Sequence, residues 1–130
     1  MIILIKEILV IAIGGAFGSA ARFLVARLIQ IHTQNIFGAS YGILTVNTVG
    51  SFLIGFLSII LIEKFKINPL WQLAILVGFL GGFTTFSSFS LDVINIIRDG
   101  YNLIAASFIM GNIALCLLAA WLGILIGSKI

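Results

Sequence analysis

The sequence predicts an all-α membrane protein of four transmembrane helices, the third of them broken in mid-membrane. Three observations carry this prediction. The chain is 62% hydrophobic and only 8% charged, with a mean hydropathy of +1.30, far outside the makeup of a soluble domain. Its apolar residues gather into four stretches, at about 8–29, 42–62, 70–97 and 103–126, each near the roughly 20 residues that cross a bilayer core as a helix. The third stretch contains GFLGGFTTFSSFSLD (78–92). There two adjacent glycines, two threonines and three serines lie at a depth where lipid offers the backbone no hydrogen-bond partner.

The first stretch carries Arg22 within GGAFGSAARF. A charge near the centre of a span costs roughly 2.5–3.5 kcal/mol on insertion scales. Arg22 therefore either snorkels to the interface with Arg27, or binds backbone carbonyls and draws anions towards a vestibule. This apolar run is too long for a cleavable signal peptide and ends at Arg27 without a small-residue cleavage pattern.

The second stretch buries Asn47, whose amide has two donors and an acceptor to satisfy. Thr45, Thr48 and Ser51 can bond back to their own helix, but Asn47 cannot do so completely. It makes an interhelical hydrogen bond or, beside a broken helix, lines a pore, and the second reading is preferred.

In the third stretch an opening at 81–85 would aim carbonyl oxygens of the preceding half-helix, and free N–H groups of the following one, at a common gap. The first end suits a cation and the second an anion. Phe86 and Phe89, three residues apart, share a helical face with Ser87, Ser88 and Ser90 around them. Such rings commonly just pack. Beside the break, their positive edges could also hold a small anion. Asp92 lies on the same face, nearer the membrane exit.

The fourth stretch carries Ser107, Asn112 and Cys116, the last two on one face by their spacing of four. They form a polar track or a set of interhelical hydrogen bonds. Trp71, Tyr41 and Tyr101 sit near span ends, as interfacial aromatics do. Gly14 and Gly18, Gly78 and Gly82, and Gly123 and Gly127 have the spacing that lets helices approach closely.

With four spans, Lys6, Lys64, Lys66 and Lys129 fall on one side and Arg22, Arg27 and Arg98 on the other. Orientation follows the Lys/Arg bias of short loops, and this bias is nearly nil. Such a balance permits insertion in both orientations and an antiparallel, dual-topology homodimer; the alternative is one orientation fixed by tilt, lipid or a helper protein. The 130 residues make one integral-membrane domain, with no length left for a soluble one. The net charge of +3 is spread over the helix ends and forms no patch for nucleic acid. His32 is the only histidine and falls in a predicted loop. No Cys/His/carboxylate cluster has metal-ligand spacing, so no enzyme is predicted.

Three segments, GGAFGSAARF (14–23), VNTVGSF (46–52) and GFLGGFTTFSSF (78–89), together resemble the Fluc (CrcB) family of fluoride channels, and the resemblance covers essentially the whole chain. It implies an antiparallel dual-topology homodimer in the cell membrane, with two pores and a structural Na⁺ where the broken helices cross. It also implies a fluoride pore of Asn47, Phe86, Phe89, Ser87, Ser88 and Asn112, with Arg22 and Asp92 at its entrance. The Na⁺ would be held by the backbone carbonyls of Gly81 and Thr84. Two positions depart from the pattern: Ile43 stands where the family often has threonine, and Phe108 where it often has tyrosine. Each removes a hydroxyl from the implied anion path.

The function so implied is passive export of fluoride, protecting the cell from fluoride toxicity. Two rivals are a dual-topology small multidrug transporter, which needs a titratable carboxylate at membrane depth, and a non-conducting structural subunit. Neither Glu7 nor Asp92 is well placed for the first. The second does not explain a break whose two ends suit ions of opposite sign.

Overall fold

The computed structural model describes residues 1–130 and contains helices only. Helix α1 is Ile2–Thr33 and α2 is Gly38–Lys64. Pro69–Gln72, Leu73–Phe79 and Leu80–Phe83 run on without a gap as α3 (69–83), then come α4, Phe86–Arg98, and α5, Asn102–Lys129. Four segments are long and apolar enough to cross a membrane, α3 and α4 together supplying the third.

Each helix outruns the apolar stretch that announced it. At 1.5 Å per residue, the 32 residues of α1 reach about 48 Å, more than the roughly 30 Å hydrocarbon core. Hydropathy measures what lipid must cover, whereas a helix continues into the headgroup region for as long as its hydrogen bonds can form. His32 accordingly lies in the last turn of α1, its Nδ1 2.8 Å from the Leu28 carbonyl, and not in the loop. Gln34, with φ 45°, ends that helix in the left-handed region.

The connections are short and chemically explicit. Asn68 caps α3 by accepting the Leu70 N–H at 2.9 Å, with Pro69 in the first turn, where its missing N–H costs nothing. Gly100 takes φ 87° between α4 and α5, a conformation that favours glycine. The end of α2 (Ile59–Lys64) and the middle of α3 (Leu73–Phe79) are wound as π-helix.

Glycine sets the helix spacing. A Cβ on Gly78 would lie 2.8 Å from the Ile11 carbonyl oxygen, and one on Gly82 would lie 2.6 Å from that of Gly15, so α1 and α3 meet backbone to backbone. Gly55 and Gly123 do the same for α2 and α5, against Ala120 and Phe52. The buried core is small. Val46 and Leu80 are fully enclosed, and Phe89, Val93, Ile96 and Ala105 form one cluster between α4 and α5. Only 20 of 130 residues are buried, and side chains such as Phe17, Phe23, Leu103 and Leu117 lie open. That distribution suits a bundle whose solvent is lipid.

Between α3 and α4, Thr84 (φ −88°, ψ 158°) and Thr85 (φ −154°, ψ 118°) have extended backbone. Gly81, Gly82 and Phe83, which the sequence pattern places inside the opening, are helical. Helical bonding persists because Leu80 O accepts both the N–H and the Oγ1–H of Thr84, each at 3.0 Å. Extension is confined to Thr84 and Thr85, β-branched residues that adopt the β region readily.

Candidate functional site

An extended dipeptide between two helices leaves amides and carbonyls to be satisfied. Asn47 of α2 meets this need at Thr85. Its Oδ1 accepts the Thr85 N–H at 2.8 Å and its Nδ2 donates to the Thr85 carbonyl at 3.0 Å, so the side-chain amide takes the place of a neighbouring peptide. Thr85 also caps α4, its Oγ1 accepting the Ser88 N–H at 3.1 Å.

The backbone dictates the direction of every hydrogen bond beyond this point. A peptide N–H can only donate, so Asn47 must turn its oxygen to Thr85 and keep its nitrogen for the Thr85 carbonyl and for Asn112. Asn112 must then present its own oxygen, which accepts from Asn47 Nδ2 at 3.2 Å and from the Cys116 thiol at 3.9 Å. The rest of the Asn112 amide is its Nδ2 group, donor only and without a partner in the chain. Asn112 is only 7% exposed. It lines a recess of about 280 Å³ together with Gly81, Thr84, Phe86 and Cys116.

The same interruption leaves several carbonyls without helical partners, and two of them, on Gly81 and Thr84, belong to residues of the recess. In a continuous helix the Gly81 and Thr84 carbonyls would accept from Thr85 and Ser88. Those N–H groups go instead to Asn47 Oδ1 and Thr85 Oγ1. Both residues line the recess, and a side chain added at Gly81 would meet nothing within 4 Å. The chain gathers no group of three or more His, Cys, Asp or Glu side chains. A hard cation here would meet neutral oxygens only, among them the Gly81 and Thr84 carbonyls that have lost their helical partners.

On its other side Thr85 lines a second cavity, of about 350 Å³, with Arg22, Arg27, Ile43 and Ser88. Arg22 is half-buried and its Nη1 donates to Ser88 Oγ at 3.5 Å, while the exposed Arg27 bonds Gln30 Oε1 at 2.9 Å. The two arginines thus part company. Ser88 Oγ also accepts from Thr85 Oγ1 at 3.0 Å, which leaves its own proton for another acceptor. Ile43, the threonine-to-isoleucine departure, makes part of this wall apolar.

Other predicted site residues separate. Phe86, at the first position of α4, is 73% exposed and borders the recess, whereas Phe89 is 7% exposed and belongs to the core cluster against Ala105. Their ring centroids are 5.6 Å apart with planes at 53°. The rings touch but face different surroundings. Ser87 is exposed, 3.4 Å from Thr85 Oγ1, and Ser90 bonds back to the Phe86 carbonyl. Asp92 is half-buried and lines neither cavity. Phe108, the second departure, packs edge-on against Tyr41 at 5.3 Å. Sequence reasoning misses the role of Thr85, although a threonine just before an apolar helical run is an N-cap signal.

A family model described as "CrcB-like protein, Camphor Resistance (CrcB)" matches residues 9–124. Among curated relatives, the fluoride-specific ion channel FluC of Coxiella burnetii is 41% identical over 125 residues, which are 95% of this chain and 99% of that one. The protein of the same name from Opitutus terrae is 43% identical over 117 residues, 88% and 87% of the two chains. That of Aquifex aeolicus is 38% identical over 122 residues, 92% and 95%.

Proposed function

The chain belongs to the CrcB family, and on that basis we propose that it is a fluoride-selective channel of the cell membrane, exporting F⁻ passively down its electrochemical gradient. It is a multi-pass membrane protein and no enzyme. HF crosses bilayers as a neutral weak acid and dissociates in a less acidic cytoplasm, so a passive path for the anion relieves fluoride toxicity. Its relatives carry the name fluoride-specific ion channel.

One observation supports the sign of the ion best. The hydrogen-bond sequence from Thr85 through Asn47 to Asn112 ends in an N–H₂ group with no acceptor in the chain, at the open recess. A donor without an acceptor beside it favours an anion over a cation. Arg22 and the Ser88 hydroxyl offer further donors on the other face of Thr85, and Phe86 brings a ring edge to the recess. In this reading Asn47 fixes the geometry while Asn112, Ser88 and Phe86 meet the ion; Ser87 and Phe89 flank them, with Arg22 and Asp92 towards the two entrances. A multidrug exchanger would need a carboxylate on the path, and Asp92 and Glu7 line neither cavity.

The functional unit in this proposal is an antiparallel, dual-topology homodimer in which the third span is broken at mid-membrane. The exposed Phe86 and the open recess then belong to its interface. A structural Na⁺ at the two-fold crossing fits the residues present: Gly81 and Thr84 of each chain would hold it through the carbonyls that the interruption releases. When bound, it would supply positive charge between the chains. The test is efflux from liposomes holding the purified protein, tracked with ion-selective electrodes. Fast release of trapped fluoride with chloride retained is expected. Retention of both ions by folded dimeric protein would overturn the reading.

A further inference from the structure

The cavity beside Thr85 holds two cations where one would draw a monatomic anion. Arg22 and Arg27 both line its space of about 350 Å³, and no carboxylate does. Two guanidinium groups therefore share one cavity without a counter-charge. The hydrogen bonds around them leave it rich in donors. Arg27 Nη1 donates to Gln30 Oε1 at 2.9 Å, so the Gln30 amide keeps its Nε2 group, donor only, for another partner. Ser88 Oγ accepts from Thr85 Oγ1 at 3.0 Å and from Arg22 Nη1 at 3.5 Å, which leaves the serine proton to be given. Each guanidinium has five N–H groups and uses one of them within the chain. Depth matters as well. Centred on a hydrocarbon core of roughly 30 Å, the 32 residues of α1 overrun it by about 9 Å at each end. Arg27 stands six residues before Thr33, the last of α1, and so at about that boundary, within reach of phosphate in lipid headgroups and in water.

We propose that this cavity binds a phosphate group in competition with fluoride, clamped between Arg22 and Arg27 and met by Gln30 Nε2 and the Ser88 hydroxyl. The inference rests on reading Arg22 as an entrance of the fluoride path. The planar fork of arginine matches two oxygens of a tetrahedral oxyanion, a fit that a monatomic ion cannot use. At roughly 30 Å³ per water the cavity has room for about ten waters, and so for a partly hydrated phosphate. Bound there, phosphate covers Ser88 and sets negative charge at the entrance, so it both obstructs and repels an arriving F⁻. The group is inorganic phosphate or the phosphomonoester headgroup of an acidic lipid, whose chemistry at the arginines is the same.

Efflux of trapped fluoride would be followed from phosphatidylcholine liposomes while external inorganic phosphate is raised, with potassium chloride at equal ionic strength as the control for screening. Phosphate is expected to slow efflux and potassium chloride to leave it unchanged. With each protein referred to its own phosphate-free rate, Arg27→Gln should raise the half-blocking concentration about tenfold, the effect of losing one charge-assisted contact. Arg27→Lys keeps the charge but loses the fork, and should recover only part of the block. In a second arm, liposomes containing phosphatidic acid are compared with liposomes containing as much phosphatidylglycerol, a phosphodiester. Slowing by added phosphate marks the free ion as a ligand, and slowing by phosphatidic acid alone marks the headgroup. Undiminished efflux in both arms would overturn the proposal, as would equal slowing by potassium chloride or an Arg27→Gln protein as sensitive as wild type. Absence of efflux before phosphate is added would refute the channel reading alone. Phosphate should still raise the unfolding temperature of the detergent-solubilised wild type and not that of Arg27→Gln, and the lack of such a shift would overturn the site itself.

Discussion

At the scale of single residues, two asparagines that look alike in the sequence have different work. Asn47 uses both its donors and its acceptor on Thr85 and Asn112, and its loss leaves the N–H and carbonyl of the buried Thr85 without their partner in the chain. Each buried group left unpaired costs about 1–3 kcal/mol. Asn47→Leu, close in size, is expected to lower the stability of the detergent-solubilised protein by that order and to abolish flux with it. Asn112→Leu leaves the Thr85 backbone paired and removes, with the free donor, the acceptor that Asn47 Nδ2 and the Cys116 thiol share, so flux should be lost at a smaller cost in stability. Thermal unfolding of the two variants beside liposome efflux separates these roles, and an Asn47→Leu protein as stable as wild type would remove the clamp from the mechanism. The sequence makes both residues legible as polar groups inside spans, because an amide in lipid must have a reason. It cannot say which atom faces which partner, for that depends on the direction of one backbone N–H, known only once Thr85 has left the helix.

At the scale of elements, composition announces four spans and a disturbance in the third, since those properties are local. The sequence pattern spreads the opening over five residues, and the chain extends at two, because glycine permits irregular backbone without demanding it. Gly81 and Gly82 stay helical, and Gly82 serves the contact between α1 and α3 instead. The π-helical turns in α2 and α3 leave no compositional trace. The one in α3 lies against α1 and the one in α2 against α5, both tertiary matters. The seating of α3 on α1 is testable on one helix. A Cβ on Gly18 would overlap the Phe79 carbonyl, which is backbone and cannot swing aside, whereas one on Gly15 comes no nearer than 3.7 Å to any atom. Gly18→Ala should therefore destabilise the protein by about 1–3 kcal/mol, the usual penalty for overpacking. Gly15→Ala should be neutral or slightly stabilising through helix propensity. Equal unfolding temperatures for the two variants would mean that α1 and α3 do not pack at the distance described.

At the scale of the whole molecule, the proposed antiparallel dimer asks each chain for half of the conducting path. The recess of a single chain opens on one side, Phe86 projects from the bundle, and the two freed carbonyls at Gly81 and Thr84 are too few to enclose a cation. A second copy in the opposite orientation would supply the rest, and the charge distribution permits it: Lys6, Lys64, Lys66 and Lys129 on one side against Arg22, Arg27 and Arg98 on the other. Because that balance is so close, small changes should tip it. Lys6→Gln, Lys64→Gln and Lys66→Gln together leave one basic residue facing three. Arg27→Gln with Arg98→Gln leaves four facing one, and Arg22 is kept because it bonds Ser88 in the cavity beside Thr85, whereas Arg27 borders that cavity but bonds Gln30. Each variant expressed alone should insert almost entirely one way, form no antiparallel pair and fail to protect cells from fluoride. Expressed together they should insert in opposite senses, pair with one another and restore both resistance and fluoride efflux from membrane vesicles. Only an antiparallel dimer predicts that two inactive variants, neither altered at the recess, rescue each other, and full activity of either one alone would show that the channel works with a single orientation.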